Sequence, residues 1–240
     1  KIKFVIGDVK DRDSISSACA DVDYVIHAAA TKIVPTAEIN PLECIKTNIL
    51  GAENVIKACI ANKVKRVVAL STDKACNPIN LYGATKLASD KLFIAANNFQ
   101  SKNNTKFSVV RYGNVIGSRG SLIPFFLNIK DNNPFPITHK DMTRFLITLE
   151  KGVGLVFLAF KDMHGGELYV SKIPSVYIKD IPKMIKKNAK LKFIGIRPGE
   201  KLHEKMISED DAFYTYEYGG YYKIIPSYLK VGQHKKYIKN

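Results

Sequence analysis

Short apolar runs alternate with helix-period segments through the first half of this chain, and that alternation constrains the fold more than any other feature. Residues 3–6, 23–27, 64–70 and 107–111 are brief, apolar and rich in β-branched side chains, so each is expected as a buried strand. Residues 11–20, 41–62 and 81–98 place apolar side chains at helical spacing, with Asp11 or Asp13 near the first helix's N-cap. Strand–helix–strand repeats of this kind specify an α/β architecture: a Rossmann-like, doubly wound parallel sheet covered by helices. From about residue 121 the alternation loosens. Helices are expected at 123–130, 142–160 and 178–188, with a helix start at 199–206. Strands are expected at 135–138, 167–170 and 191–194 and within 213–228. This second half, 121–240, reads as a mixed region, mostly a smaller lobe, with some elements returning to the main sheet.

With 240 residues, 46% hydrophobic and 25% charged, the composition is that of a water-soluble globular domain with a sizeable core. No apolar run is long enough to span a bilayer. Cys19, Cys44, Cys59 and Cys76 have no CxxC spacing, which points to reduced thiols and a cytoplasmic protein. No signal peptide is visible, although the chain starts at Lys1 without a methionine. The net charge is +15, but the lysines are scattered and form no patch with reading elements, so neither nucleic acid nor membrane is expected as a partner. A basic surface suits a small polyanion such as a nucleoside diphosphate. The five histidines lack metal-ligand spacing, so no metal is expected, and His27 reads as a core residue.

The chemistry concentrates in residues 71–86. Ser71 and Thr72 end the third apolar run, Asp73 and Lys74 follow it, and Tyr82 and Lys86 open the next helix. Residues four apart share a helix face, so phenol and ammonium can enter one site. A neighbouring cation favours the phenolate and is expected to lower the Tyr82 pKa, making it a base. Asp73 and Lys74 leave the carboxyl end of a strand, where open α/β sheets place ligands. Cys76 reads as a small neighbour of this site. Ala28, Ala29 and Ala30 leave the second strand, where small side chains permit close ligand approach or simply tight packing.

Residues 25–30 (Val-Ile-His-Ala-Ala-Ala), 82–86 (Tyr-Gly-Ala-Thr-Lys) and 111–115 (Arg-Tyr-Gly-Asn-Val) resemble the extended short-chain dehydrogenase/reductases that act on nucleotide sugars. Five blocks in the same order narrow the likeness: residues 71–75, 80–86, 117–120, 141–145 and 196–204 (Ile-Arg-Pro-Gly-Glu-Lys-Leu-His-Glu). Together they are similar to the inverting UDP-N-acetylglucosamine 4,6-dehydratases of pseudaminic acid synthesis. Asp followed by Lys at 73–74 resembles that branch, whereas retaining dehydratases carry Asp-Glu there and simple epimerases lack such a pair. Nucleotide-sugar epimerization, retaining dehydration and a non-catalytic fragment remain the competing readings.

The resemblance implies that residues 1–120 form a partial NAD(P)-binding domain and 121–240 largely a substrate lobe. It implies a UDP-N-acetylglucosamine substrate, an NADP cofactor (NAD being the alternative) and a homo-oligomer. Tyr82, Lys86, Asp73, Lys74 and Thr72 would be catalytic. Asp8, Val9, Ala28, Thr47, Ser71 and Val115 would join Tyr82 and Lys86 in holding the cofactor. Lys32, Asn114, Arg119, Thr143, Arg197 and Glu200 would meet the substrate, with Met142 and Arg144 lining the same groove. The family's glycine-rich pyrophosphate turn, expected about 30 residues before Gly7, is not in this sequence. A truncated protein lacking its first βαβ unit is therefore expected, with weak dinucleotide binding by these residues alone.

Overall fold

The computed structural model describes residues 2–99, 105–118, 120–130, 133–229 and 231–238. Its elements run α1 (Arg12–Ala18), β1 (Tyr24–His27), α2 (Val34–Ile39), α3 (Pro41–Ile45), α4 (Gly51–Ala61), β2 (Arg66–Thr72), α5 (Leu81–Ala95) and β3 (Lys106–Tyr112). There follow β4 (Asn114–Val115), α6 (Leu122–Leu127), β5 (Phe135–Ile137), β6 (Thr143–Ile147), α7 (Leu149–Asp162), β7 (Leu168–Ser171), β8 (Ser175–Tyr177), α8 (Ile181–Ile185) and β9 (Leu191–Phe193). The last are α9 (Glu209–Ala212), β10 (Thr215–Glu217), β11 (Tyr221–Ile224) and α10 (Lys235–Ile238).

The main sheet has the order β1-β2-β3-β7-β11-β10. Its first four strands are parallel, and β11 and β10 add antiparallel at one side. Helices cover both faces, which is why β2, β3 and β7 are mostly apolar on both sides; the buried Ser108 in β3 donates its hydroxyl to Glu167 Oε2 at 2.9 Å. Val67, Ala69, Phe107, Val109, Leu168 and Val170 pack against Val55, Ile56 and Cys59 of α4 and Phe93 of α5. The intervening Val68, Val110 and Tyr169 face Leu155, Val156 and Ala159 of α7. Each fully buried aliphatic side chain contributes roughly 1.5–3 kcal/mol, so this two-sided core holds the strand ends in place. The expected doubly wound α/β architecture is therefore the observed one.

The second half divides its strands. β7, β11 and β10 extend the main sheet, while β4-β6-β8 and β5-β9 form two small sheets. A separate core joins α6 to these through Phe126, Phe135, Ile137, Met142, Ile178 and Ile181. The strands expected in 213–228 are β10 and β11.

Several expectations differ from what is observed. Residues 3–6 form no strand: Phe4 is 90% and Ile6 102% exposed, and no described strand pairs with them. An apolar run becomes a strand only against a neighbour. The helix expected at 142–160 is two elements. Thr143, Phe145 and Ile147 alternate along β6, and the Thr148 side chain then caps α7 by accepting from Lys151 N. The helices expected at 123–130 and 178–188 are shorter, as α6 and α8, the latter preceded by a 3₁₀ turn at Ile178–Asp180. Residues 199–206 hold no helix, because Pro198 and Gly199 (φ +76°) turn the chain. The long helix expected at 41–62 is real but contains a π-helical stretch at Lys46–Leu50, and α2 precedes it unannounced.

His27 ends β1 as a core residue, 4% exposed beside the Phe93 ring. Burial, then the nearby Lys86 charge, lowers its pKa to about 4 from 6.5. Between those values the unfolded chain binds the proton and the folded chain does not. Stability is therefore complete above pH 6.5 and is lost as pH falls towards 4, by about 3 kcal/mol in all. Denaturant unfolding across that window should show the loss, and the imidazole NMR signals should remain those of the neutral ring down to about pH 4.

Candidate active site

β2 delivers Thr72 to the sheet's carboxyl edge, where Asp73–Ala75 winds into a single 3₁₀ turn. The Thr72 hydroxyl accepts from Lys74 N at 3.4 Å and donates to Asp73 Oδ1 at 3.0 Å. Lys74 Nζ donates to the same Oδ1, also at 3.0 Å. Asp73 is fully buried, and its Oδ2 has no hydrogen-bond partner among the described residues. One carboxyl oxygen thus accepts from both the amine and the Thr72 hydroxyl, while the other is buried without a partner among the described residues.

Three contacts fix the start of α5. Asn80 Oδ1 accepts from Gly83 N at 2.8 Å, Glu38 Oε1 from α2 accepts from Leu81 N at 2.7 Å, and Asn80 Nδ2 donates to the Gly199 carbonyl at 2.8 Å. Gly83 lies directly against the 3₁₀ turn, and a Cβ there would collide with the Lys74 carbonyl oxygen. This close approach brings Tyr82 to Thr72 and Asp73. The Tyr82 side chain is buried with Ala37 and Cys44. Its pKa is pushed up to about 12, chiefly by burial; the Thr72 hydrogen bond opposes this and the Asp73 charge adds to it. The expectation that Lys86 holds the phenol below its ordinary value is therefore not met, because burial dominates the shift. Lys86 is 4% exposed, and burial lowers its own pKa, with Asp90 opposing.

Ser71 points away from the cleft edge: its hydroxyl donates to Asp90 Oδ2 at 2.6 Å, and Asp90 pairs with Arg111 at 3.3 Å. Of the expected cofactor residues, Ala28 is exposed just beyond β1 and Thr47 lies in the π-helical stretch. Val115 pairs with Ile147 in β4. Asp8 is an exposed turn residue accepting from Lys10 N, and Val9 packs on Gly51 while Asn54 binds its carbonyl.

Among the expected substrate residues, Lys32 is exposed beside Thr31. Asn114 lines a cavity of about 20 Å³ with Ser121 and Arg144. The Asn114 Oδ1 and Ser121 Oγ there lack hydrogen-bond partners among the described residues. Thr143 Oγ1 lies 2.8 Å from His203 Nδ1. Arg197 and Glu200 form an exposed, self-paired turn, joined to α5 through Gly199 and Asn80. Arg119 lies outside the described residues. Met142 does not line a groove; it is 3% exposed in the small core. Arg144 is buried and donates to the Thr143 and Leu202 carbonyls. A larger cavity, about 220 Å³, lies beneath α5, lined by Asp90, Arg111, Tyr214 and Tyr228 rather than by Tyr82.

Two site residues escaped sequence reasoning. Asn48, buried in the π-helical stretch, accepts from Thr31 N at 2.8 Å and donates to Thr31 O and Thr85 Oγ1, both at 3.0 Å. It ties the loop bearing Lys32 to the helix bearing Tyr82, and the only signal was an asparagine inside a helix. Glu204 stands 3.6 Å from Lys74 Nζ with its side chain 3% exposed. Its signal was a Lys–Glu spacing of three in a block recognised only as a whole.

A phenol, an amine and a buried carboxyl group on one strand end can move protons on a bound hydroxylated ring. Lys86 is a buried ammonium that no described side chain hydrogen-bonds, and it fits the hydroxyl groups of a dinucleotide ribose beside Tyr82.

Residues 1–226 match the family described as polysaccharide biosynthesis protein. A UDP-N-acetylglucosamine 4,6-dehydratase (inverting) from Campylobacter jejuni subsp. jejuni serotype O:23/36 (strain 81-176) is 57% identical over 241 residues, 100% of this chain and 72% of the relative. A UDP-glucose 4-epimerase from Rickettsia bellii (strain OSU 85-389) is 49% identical over 93% of this chain and 67% of its own length. The solved structure of Pen from Bacillus thuringiensis is 40% identical, with a TM-score of 0.90, covering 95% of this chain and 74% of that one.

Ala normally stabilises a helix position over Gly by about 1 kcal/mol. At Gly83 the backbone collision reverses the sign, so Gly83→Ala should lower stability by roughly 1–3 kcal/mol. Asn48→Ala should cost a similar amount by stranding the Thr31 backbone groups. Thermal unfolding of both variants checks this.

Proposed function

Because the chain belongs to the polysaccharide biosynthesis protein family, we propose that it is a UDP-N-acetylglucosamine 4,6-dehydratase that inverts carbon 5. The observation that carries this reading is the Asp73–Lys74 pair, hydrogen-bonded at 3.0 Å and seated beside Thr72 and Tyr82. The 57% identity to a relative of that name supports it. Epimerization, the activity named for the Rickettsia relative, shares oxidation at carbon 4 but eliminates no water, so it has no task for an acid–base pair. We also read the protein as a hydro-lyase of pseudaminic acid biosynthesis that uses NADP, acts as a homo-oligomer and resides in the cytoplasm.

A bound nicotinamide dinucleotide would supply the hydride chemistry between carbons 4 and 6. Lys86 and Tyr82 would hold its nicotinamide ribose, with the backbone around Ala28, Ser71 and Val115 beside it. Tyr82 must first give up its own proton, against the burial that raises its pKa to about 12 in the unliganded cleft; as the phenolate it accepts the proton of the 4-hydroxyl, and Thr72 hydrogen-bonds the 4-oxygen. The carbon 4 ketone acidifies the carbon 5 proton, which neutral Lys74 removes. Protonated Asp73 gives its proton to the departing 6-hydroxyl, which leaves as water. The neutral amine and protonated acid are the ion pair with one proton moved across the 3.0 Å contact, so no extra proton is needed to reach this state. Tyr82 then returns its proton to carbon 5 on the opposite face, giving inversion. Proton transfer from Lys74 to Asp73 resets the pair.

Each assigned group typically accounts for a factor of about 10²–10⁴ in rate. Lys74→Ala should therefore abolish dehydration while leaving slow carbon 4 oxidation, seen as reduced-nicotinamide absorbance without a 6-deoxy product. Carbon-13 NMR of the wild-type product from UDP-N-acetylglucosamine should show a 4-keto-6-deoxy sugar of inverted carbon 5. Full turnover by the variant would remove Lys74 from the mechanism.

A further inference from the structure

Lys74 has a second carboxylate that the chemistry above does not use. Its Nζ lies between Asp73 Oδ1 at 3.0 Å and Glu204 Oε1 at 3.6 Å. On the far side of Glu204, Lys201 Nζ stands 3.4 Å from Oε2 while donating to the Cys76 carbonyl at 2.6 Å. That ion pair is not aligned as a hydrogen bond, so Oε2 has no hydrogen-bond partner among the described residues. Asp73, Lys74, Glu204 and Lys201 thus form a row of alternating charge. The side chains of Asp73 and Glu204 are 1% and 3% exposed, those of Lys74 and Lys201 22% and 13%. A buried carboxylate is costly unless cations compensate it, and two lysines bracket this one.

The geometry points to Glu204 as the positioning residue of Lys74: the carboxylate that aims Nζ and receives the positive charge arriving there when carbon 5 gives up its proton. This rests on the dehydratase reading. The balance is simple. The C5–H bond breaks, its proton forms the new N–H bond, and its electron pair expels the 6-hydroxyl, which Asp73 protonates to water. Nζ becomes cationic between two carboxylates, Asp73 and Glu204. Before that step Lys74 is neutral, and Lys201 keeps Glu204 paired, so no lone buried charge is left in either state. Glu204 stands to the amine as a buried carboxylate stands to a catalytic imidazole, orienting the base and stabilising its protonated form.

The groups facing Lys74 are Thr72 and Asp73 on its own turn and Glu204 from the 199–206 segment, with Lys201 on the far side of Glu204. In the full chain, Glu204→Gln removes an anion beside the amine. It should lower kcat by at least about tenfold with KM changed by less than about twofold. The alkaline limb of the kcat/KM profile should move to lower pH by about one unit, because the last proton on the Asp73–Lys74 pair is held less tightly. Glu204→Asp should restore part of kcat. Lys201→Met removes the cation that offsets Glu204 and should move the same limb to higher pH. If Glu204→Gln does not fold, the Lys201→Met profile decides alone. Limbs that stay at the wild-type pH in the folded variants, whatever happens to kcat, would reduce Glu204 to a clip between two segments and overturn the assignment. Normal dehydration by the wild-type enzyme together with unmoved limbs in the variants sinks only Glu204; a wild-type enzyme that forms no 6-deoxy product sinks the dehydratase reading and this assignment with it.

Discussion

The site depends on one steric contact, the first turn of α5 lying directly on the carbonyl of Lys74. Only a residue without a side chain permits it, and Gly83 supplies that where a Cβ would meet the rigid Lys74 backbone rather than a yielding side-chain tip. Everything chemical follows from this closeness. It sets the phenol over the 3₁₀ turn, brings Thr72 within reach of both Asp73 and Tyr82, and leaves Lys86 one helical turn deeper in a dry environment. The helix cannot drift away, because Glu38, Asn80 and the Gly199 carbonyl hold its start from three directions. The sheet beneath supplies the rigid floor, packed on both faces.

Burial gives these groups opposite tendencies. It favours the neutral forms of Tyr82, Lys86 and His27, raising the first and lowering the other two. A proton shared within the Asp73–Lys74 pair is the arrangement such an environment tolerates, since neither partner need carry a lone charge. The cost of keeping Asp73 and Glu204 in the dark is offset by lysines whose ammonium heads lie within 4 Å. Two charged side chains, Asp90 and Arg111, do similar service under α5, where they satisfy Ser71 and one another.

What could be read from the sequence was local. Tyr82 and Lys86 share a helix face, Asp73 and Lys74 are neighbours in one turn, and both follow a strand whose apolar run is unmistakable; spacing alone places them. The sheet was legible because β2, β3 and β7 are covered on two sides and are largely apolar, Ser108 being the small buried exception in the middle of β3. Glu204 was not legible, since its contact with Lys74 joins segments far apart in the chain and no periodicity records it. The sign of the Tyr82 shift was misread for a related reason: proximity to Lys86 follows from spacing, but the depth of burial depends on α2, which the sequence did not announce, and on how α3 packs against the ring. Residues 3–6 show the limit of hydropathy, which registers a strand's appetite for burial but not whether a neighbour is there to pair with it. At Thr143–Ile147 a short strand ran directly into an amphipathic helix, and the longer pattern hid the shorter one.

The π-helical stretch at Lys46–Leu50 carries one residue more than regular winding would need. That surplus sets the rotational phase between α3 and α4, so Asn48 can look towards Thr31 and Thr85 while Val55 and Cys59 still look into the sheet. Deleting a single residue there would rewind the helix into a regular spiral and turn its two halves by about 100° relative to each other. The core or the cleft would keep its partners, but not both. The irregularity is thus a phase joint, and its length in residues is a structural constant of this protein even where its composition is free to vary.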